Sequence, residues 1–315
     1  MLRLASLSRD ELYRRLSTDG LRLRTGPLVF CIRSKVADVA RGLAALYDGH
    51  PVVGSEEFAD FHISVDRVTG PRRWLRPQLA FRVDGENSFA PLPGGQGLPM
   101  LEWGMNWCVS GACHQYLILH AAVLERNGRA LVMPAPSGSG KSTLCAALLF
   151  RGWRLLSDEL ALIDMKTGQL VPLPRAVSLK NASIGVLRRF AGPALQFASI
   201  VQDTSKGVVG HFKAPLDAVN RADEYAQPGW VIFPRYVAPA PAQPALLTAL
   251  SQGQCLMRLI ENAFNYNVHQ RAGFEALANL VAASSCHEFS YSSLDEAVAL
   301  FERLATADTA DQASA

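Results

Sequence analysis

The chain predicts an α/β fold built on a mixed sheet, preceded by a small α/β module, and three observations carry that prediction. A buried-strand run from Tyr116 to Leu124 is followed by Asn127-Gly128, a dipeptide suited to the positive φ angles of a two-residue hairpin turn, and then by a second apolar run, Ala130 to Met133. Gly138-Ser139-Gly140 and a helical pattern (Leu144, Ala147, Leu148) come next, so strand, loop and helix succeed one another. A hairpin feeding directly into such a unit is foreign to a purely parallel sheet, which makes the sheet mixed. Before it, residues 1–92 carry short helical and alternating apolar patterns of their own.

In chain order, Ser8-Arg9-Asp10-Glu11 has the form of a capping box and opens a helix through about Ser17. Leu21 to Arg24 and Leu28 to Ile32 read as strands. Val36, Val39, Ala40, Leu43 and Leu46 recur at helical spacing, whereas Phe61, Ile63, Val65 and Leu79, Phe81, Val83 alternate as half-buried strands do, the second of these strands ending in an Asp84-Gly85 turn. Pro91 to Gly97 reads as a linker, because its prolines and glycines interrupt any continuing element. Leu98 to Cys108 is an expected helix in which Trp103 and Trp107 pack. Domain boundaries follow: a module of unknown role over 1–92, the main domain over 98–305, and a small, polar, disordered tail over 306–315.

After the loop, a helix should end near Gly152, where glycine accepts a left-handed C-terminal position. Trp153 to Ser157 reads as a strand running into Asp158-Glu159. Ala161–Asp164 and Gln169–Val171 flank Lys166-Thr167-Gly168 as a second hairpin, and Gly229 to Pro234 is one more core strand. Val237 to Pro244 reads as an exposed loop. Helices over about 250–263, 271–283 and 294–304 complete the chain, the last opened by Ser293-Leu294-Asp295-Glu296.

Composition narrows the function classes. With 315 residues and 49% hydrophobic content the chain can bury a large core. Its 31 basic and 28 acidic residues are interspersed and sum to +3, without the clustered basic face of a nucleic-acid binder; pairs such as Arg72-Arg73 and Arg188-Arg189 read as solvated surface. The six cysteines form no Cys-x-x-Cys pair, which speaks against a zinc ribbon or a thioredoxin-like redox site. No apolar run reaches the length of a membrane span, so a soluble, cytoplasmic protein with no membrane partner is expected.

The stretch Ala135 to Thr143 reads as a phosphate-binding loop. Glycines allow successive backbone N–H groups to turn around a polyphosphate, a lysine reaches its outer phosphates, and a Ser or Thr hydroxyl holds the bridging magnesium ion. Ser137, Gly138, Ser139, Gly140, Lys141, Ser142 and Thr143 supply this set, with ATP or GTP and magnesium as the implied ligands. The pattern usually has glycine where Ala135 stands. Asp158-Glu159 stand at the C-terminal end of an expected strand, where ligand-facing groups of α/β sheets gather. One carboxylate could hold magnesium through water while the other accepts a proton from an attacking hydroxyl. His120, alone in an apolar strand, reads as a satisfied core histidine.

From His120 to Asp164 the chain resembles the catalytic domain of the bacterial HPr kinase/phosphorylase, and more closely the HPr-kinase-related proteins of peptide- or exopolysaccharide-processing gene clusters. The matching residues are His120, the loop Ala135 to Ser142, Arg151-Gly152 and Asp158-Glu159, with the spacing among His120, Lys141 and Asp158 kept. Looser similarity runs through Pro174 to Asn181, Ser205-Lys206-Gly207 and Phe233-Pro234-Arg235-Tyr236. The resemblance implies a phosphate-loop kinase of the phosphoenolpyruvate-carboxykinase-like type that uses ATP and magnesium to phosphorylate a hydroxyl, often a protein serine. By position, Glu159 would accept the hydroxyl proton, Asp158 would be its partner on the metal side, Ser142 a magnesium ligand, Lys141 the phosphate-binding lysine, and His120 a neighbour of the transferred phosphate. The family usually has Asp where Glu159 stands, and its later metal-site glutamate has no match near Pro174-Arg175. Arg175, Lys180 and Lys206 are candidate contacts to nucleotide or acceptor phosphate, or plain surface charges. The acceptor implied is a protein or peptide; a small molecule, a lasso-type precursor peptide, or an ATP-binding partner without catalysis are the alternatives. Family members form rings and some run the reverse phosphorolysis, so self-association is expected.

Overall fold

The computed structural model describes residues 2–70, 75–136, 138–237 and 244–313, with side chains through residue 307. The chain forms two compact units. The first comprises Met1–Ala112, Pro174–Asn181 and Gln196–Ala222, and the second Cys113–Leu173, Ala182–Leu195 and Asp223–Ala315. The first unit therefore takes in a helix and two later segments besides the residues expected to form the N-terminal module.

Helix α1 (Arg9–Ser17), strands β1 (Leu21–Thr25) and β2 (Leu28–Arg33), helix α2 (Ala37–Leu46), strands β3 (Phe61–Arg67), β4 (Gln78–Val83), β5 (Glu86–Asn87) and β6 (Leu92–Pro93), and helix α3 (Gly97–Ala112) come first. Strands β7 (Tyr116–Arg126) and β8 (Arg129–Pro134), helix α4 (Lys141–Leu149), and strands β9 (Arg154–Ser157), β10 (Leu160–Asp164) and β11 (Leu170–Val171) follow. Next are β12 (Val177–Lys180), α5 (Ala182–Ala191), β13 (Ser199–Thr204), β14 (Gly207–Phe212) and α6 (Leu216–Asn220). The chain closes with β15 (Gln227–Tyr236), β16 (Leu246–Ala249), α7 (Gln252–Glu261), α8 (Tyr266–His269), α9 (Arg271–Ala282), β17 (Ser285–Tyr291) and α10 (Leu294–Ala313).

The first unit holds a sheet in the order β1-β2-β3-β4-β5, with β6 on β4, and a three-stranded sheet, β12-β14-β13. The Ser8 hydroxyl accepts the Glu11 N–H at 3.1 Å and caps α1, but the Glu11 carboxylate turns to Arg14 and Arg15 instead of back to the cap. Asp84 and Gly85 both have positive φ (50° and 88°), as the β4–β5 turn requires. The expected linker is partly a strand: Leu92 and Pro93 pair with Leu79 and Gln78. Proline is tolerated there because β6 lies at the sheet edge, where its missing N–H deprives no neighbour. Helix α3 lies against β4 with no room to spare, since a side chain at Gly104 would overlap the Phe81 ring.

In the second unit the sheet runs β11-β10-β7-β8-β15-β17-β16, with β9 also on β7. It is mixed, as the hairpin predicts: β7 is antiparallel to β8, whereas β8, β15 and β17 are parallel. Asn127 and Gly128 take the positive φ values (54° and 79°) of the hairpin turn. A core of Leu119, Val123, Val132, Leu156, Val231, Leu259, Leu277 and Leu280 packs α7 and α9 on this sheet. Arg154 and Glu125 face each other across β9 and β7 as a buried ion pair at 2.5 Å. α10 runs to Ala313, well into the stretch expected to be disordered. Among the described residues no helix is long and apolar enough to cross a membrane. The expected exposed loop falls largely on residues 238–243, and Arg72-Arg73 within 71–74, outside the described residues.

Candidate functional site

Strand β8 ends at Pro134, and the chain turns through a glycine loop into α4. Gly138 and Gly140 each have φ near +89°, the left-handed region where a Cβ is strained, and Gly140 is the N-cap of the helix that Lys141 begins. Ser137 lies outside the described residues. Ala135 is buried and is absent from the positive-φ residues, so this alanine fits its place without backbone strain. Its departure from the glycine of the motif is thereby accounted for.

Two tyrosines hold the loop from behind. The backbone N–H of Tyr236, at the end of β15, donates to the Ser139 carbonyl at 2.8 Å. The hydroxyl of Tyr291, at the end of β17, donates to the Gly140 carbonyl at 3.0 Å. A side chain at Gly140 would overlap that hydroxyl and stand 2.9 Å from Tyr236 Cβ, so glycine is needed for space as well as for φ. Burial, with the Tyr236 phenol nearby, pushes the Tyr291 hydroxyl above the usual tyrosine range, and it remains a neutral donor. Sequence reasoning gave neither tyrosine a role. Both lie at C-terminal ends of parallel strands, which is the only signal that could have marked them.

Strand β7 gathers the other residues. It is longer than β8, whose last residue Pro134 is paired with Ala121, so Tyr116 to His120 extend beyond the point where the loop begins. Ala121 donates its N–H to the Glu159 carbonyl at 3.2 Å on its opposite edge. His120 pairs with Leu160 and donates its N–H to the Asn262 carbonyl at 2.7 Å, and its ring lies 5.9 Å from that of Phe264. The start of the loop and the acid pair thus flank one residue of β7, two strand spacings or on the order of 10 Å apart.

Lys141 and Asp158 are each 6% exposed, and Ser142, Thr143 and Glu159 are partly exposed. Cys145, one turn after Lys141 on α4, lies close to Asp158; burial and then the Asp158 charge push that thiol well above its ordinary range, with Lys141 acting the other way. Lys141, Asp158 and Cys145 therefore share one buried neighbourhood, and Cys145 is a packing thiol, not a nucleophile. The residues suit an anion and a hard cation: backbone N–H groups at a helix N-terminus with a lysine for phosphate, and the oxygens of Ser142 and Asp158 for magnesium. No group of three or more His, Cys, Asp or Glu that could hold a metal by itself is found among the described residues, and magnesium in nucleotide sites takes most of its ligands from phosphate and water.

The three remaining candidates belong to the first unit. Arg175 is 6% exposed, not a surface charge: its guanidinium donates to Asn106 Oδ1 (2.7 Å), Glu102 Oε2 (2.8 Å) and the Glu102 carbonyl (3.1 Å), with the Tyr47 hydroxyl 3.5 Å from its Nε. Lys180 ends β12, partly exposed. Lys206 is exposed and sits 4.8 Å over the ring of Trp103.

A family model described as SynChlorMet cassette protein ScmC matches residues 100–184, a span from α3 into α5 that includes His120, the loop and the acid pair. That model describes a cassette protein family and not HPr kinase itself. The HPr kinase/phosphorylase of Streptococcus salivarius is 29% identical over 83 residues, 26% of this chain and 27% of that protein, so the chain spans about a quarter of the length of the curated relative it matches. A solved HPr(Ser) kinase/phosphatase from Coxiella burnetii aligns over 62% of this chain and 97% of its own, at 14% identity and a TM-score of 0.27.

Proposed function

We propose that this protein is an ATP- and magnesium-dependent kinase that transfers the γ-phosphate to a hydroxyl, most simply a serine or threonine of a protein or peptide, in the cytoplasm. The observation that carries the reading is the convergence on β7, where Ala121 stands between the strand that feeds the glycine loop and Glu159, with His120 beside it. The distant similarity to a protein named HPr kinase/phosphorylase supports the same reaction class.

In this reading the N–H groups around Gly138 to Lys141 and the Lys141 ammonium hold the β- and γ-phosphates. Ser142 and Asp158 hold magnesium, which when bound neutralises charge on those phosphates. Glu159 takes the proton of the acceptor hydroxyl as its oxygen bonds to the γ-phosphorus and the β,γ-bridging P–O bond breaks, leaving ADP. His120 stands next to that transfer. Arg175, by contrast, has a structural role, and Lys180 and Lys206 are proposed only as contacts to acceptor phosphate or charge. Self-association goes with the reading; light scattering returning a monomer would remove it.

Transfer of label from γ-labelled ATP to proteins of a source-cell lysate tests the proposal, with Lys141→Ala and Glu159→Gln as controls. Each variant should lower transfer on the order of 10²–10³-fold. Labelling that persists unchanged in both sinks the assignment, and tight ATP binding without transfer to any acceptor identifies a non-catalytic nucleotide-binding partner instead.

A further inference from the structure

Tyr236 is 47% exposed although its backbone is held on both sides, by Tyr291 of β17 and by the glycine loop. β15 lies between β8 and β17, both parallel to it, and the Tyr236 N–H is bonded to Ser139. Its ring meets that of Tyr291 edge-on, with centroids 5.7 Å apart and planes at 66°. Tyr291 in turn stacks on Phe289 at 5.3 Å, and Phe289 packs edge-on against Phe301 at 5.0 Å, so the exposed ring rests on an aromatic column that reaches the core. An isolated exposed tyrosine is ordinary surface. This one touches the backbone of the glycine loop, and its Cβ helps decide that residue 140 is glycine.

Its side of the sheet matters as much. The acid pair and His120 lie on one flank of β8, through β7, which in the proposed function is the flank toward which the transferred phosphate points. Tyr236 ends the strand on the opposite flank. A nucleotide whose phosphates lie across the loop, with the terminal one toward Glu159, carries its ribose and base toward β15. Resting on the proposed nucleotide site, we propose that Tyr236 is the platform on which the purine base of the nucleotide stacks, with Tyr291 positioning both the ring and the loop. Edge-to-face support from Tyr291 fixes the ring orientation before ligand arrives. Stacking of this kind tolerates either purine and favours both over the smaller pyrimidines.

The test separates the base from the phosphates. Binding of ATP and of inorganic tripolyphosphate, each with magnesium, is measured by calorimetry for the wild-type chain, Tyr236→Ala, Tyr236→Leu and Tyr236→Phe. The Ala and Leu variants should lose roughly 5- to 100-fold in ATP affinity and keep tripolyphosphate affinity within about twofold, while Phe keeps both. The fluorescence of 2-aminopurine riboside triphosphate should be quenched on binding the wild type and Tyr236→Phe and much less quenched on binding Tyr236→Leu. Equal losses for ATP and tripolyphosphate would assign the ring to loop support alone, and undiminished ATP affinity in Tyr236→Ala would place the base elsewhere; either overturns the inference. If the wild type binds neither ligand, the phosphate-loop reading fails first and takes this one with it.

Discussion

Lys141 and Arg175 are both basic, both 6% exposed and both readable from the sequence as phosphate contacts, yet they occupy opposite kinds of environment. Arg175 sits in a closed set in which Glu102, Asn106 and Tyr47 together accept from its donors, and His50 adds a ring hydrogen bond to the Pro174 carbonyl at 2.9 Å. Lys141 is the first residue of a helix, next to a half-exposed loop with two positive-φ glycines, and shares its surroundings with Asp158. Burial and charge do not by themselves mark a functional cation. The backbone around the two differs: Lys141 opens a helix after a loop of positive-φ glycines, a form suited to an anion, whereas a planar fork enclosed by matched acceptors is already satisfied.

The largest way to break this contrast is at Arg175. Replacing it with methionine leaves the Glu102 carboxylate buried beside Tyr47 with no cation, a loss of about 3–5 kcal/mol of stability by urea unfolding. Joint replacement of Glu102 by Gln and Arg175 by Met should recover most of that loss. At Lys141 the weights reverse: Lys141→Ala should lower transfer far more than it lowers the urea midpoint, although buried Asp158 loses a neighbouring cation. If Arg175→Met leaves stability intact and weakens ATP binding, the two residues are alike after all and the comparison fails.

Gly140→Ala comes next in size. Its left-handed φ costs an L-residue about 1–2 kcal/mol, and the overlap with Tyr291 adds to that. Tripolyphosphate affinity should fall about tenfold or more through a displaced loop. Pairing the change with Tyr291→Ala removes the overlap but not the φ strain, so partial recovery is expected; none at all would mean that φ alone demands the glycine.

The smallest effect is a pH slope. Burial lowers the His50 pKa, partly offset by its bond to the Pro174 carbonyl, so the native state resists a proton that the unfolded chain accepts. Stability is full above the unfolded histidine range near 6.5 and is lost as pH falls through it. His50→Gln, which keeps an N–H for Pro174, should flatten the urea midpoint between pH 8 and 5. An unchanged slope would take His50 out of the network.

Much of the fold was legible because it rests on local rules. The Asp84-Gly85 and Asn127-Gly128 turns, the apolar alternation of β3 and β4, the strand-loop-helix around Lys141 and the hairpin of β10 and β11 were all read close to their observed bounds. Other parts were missed for stated reasons. β6 contains a proline and is a strand only because β4 offers it an edge. The sheet β12-β14-β13 lacks strong alternation in β13, whose residues are mostly exposed. The capping box at Ser251 and Gln254 is a local pattern that was overlooked.

What the sequence determined by itself is the glycine loop, its helix and the acid pair, since glycine φ freedom, helix capping and strand termination depend on neighbours within a few positions. Only the tertiary structure decided that Tyr291 supports Gly140 from 151 residues away, that Arg175 is enclosed by Glu102 from 73 residues away, and that Ala121 stands between Pro134 and the acid pair. Each of these depends on strand order and register, which the sum of many weak packing contacts sets and which no single residue pattern records.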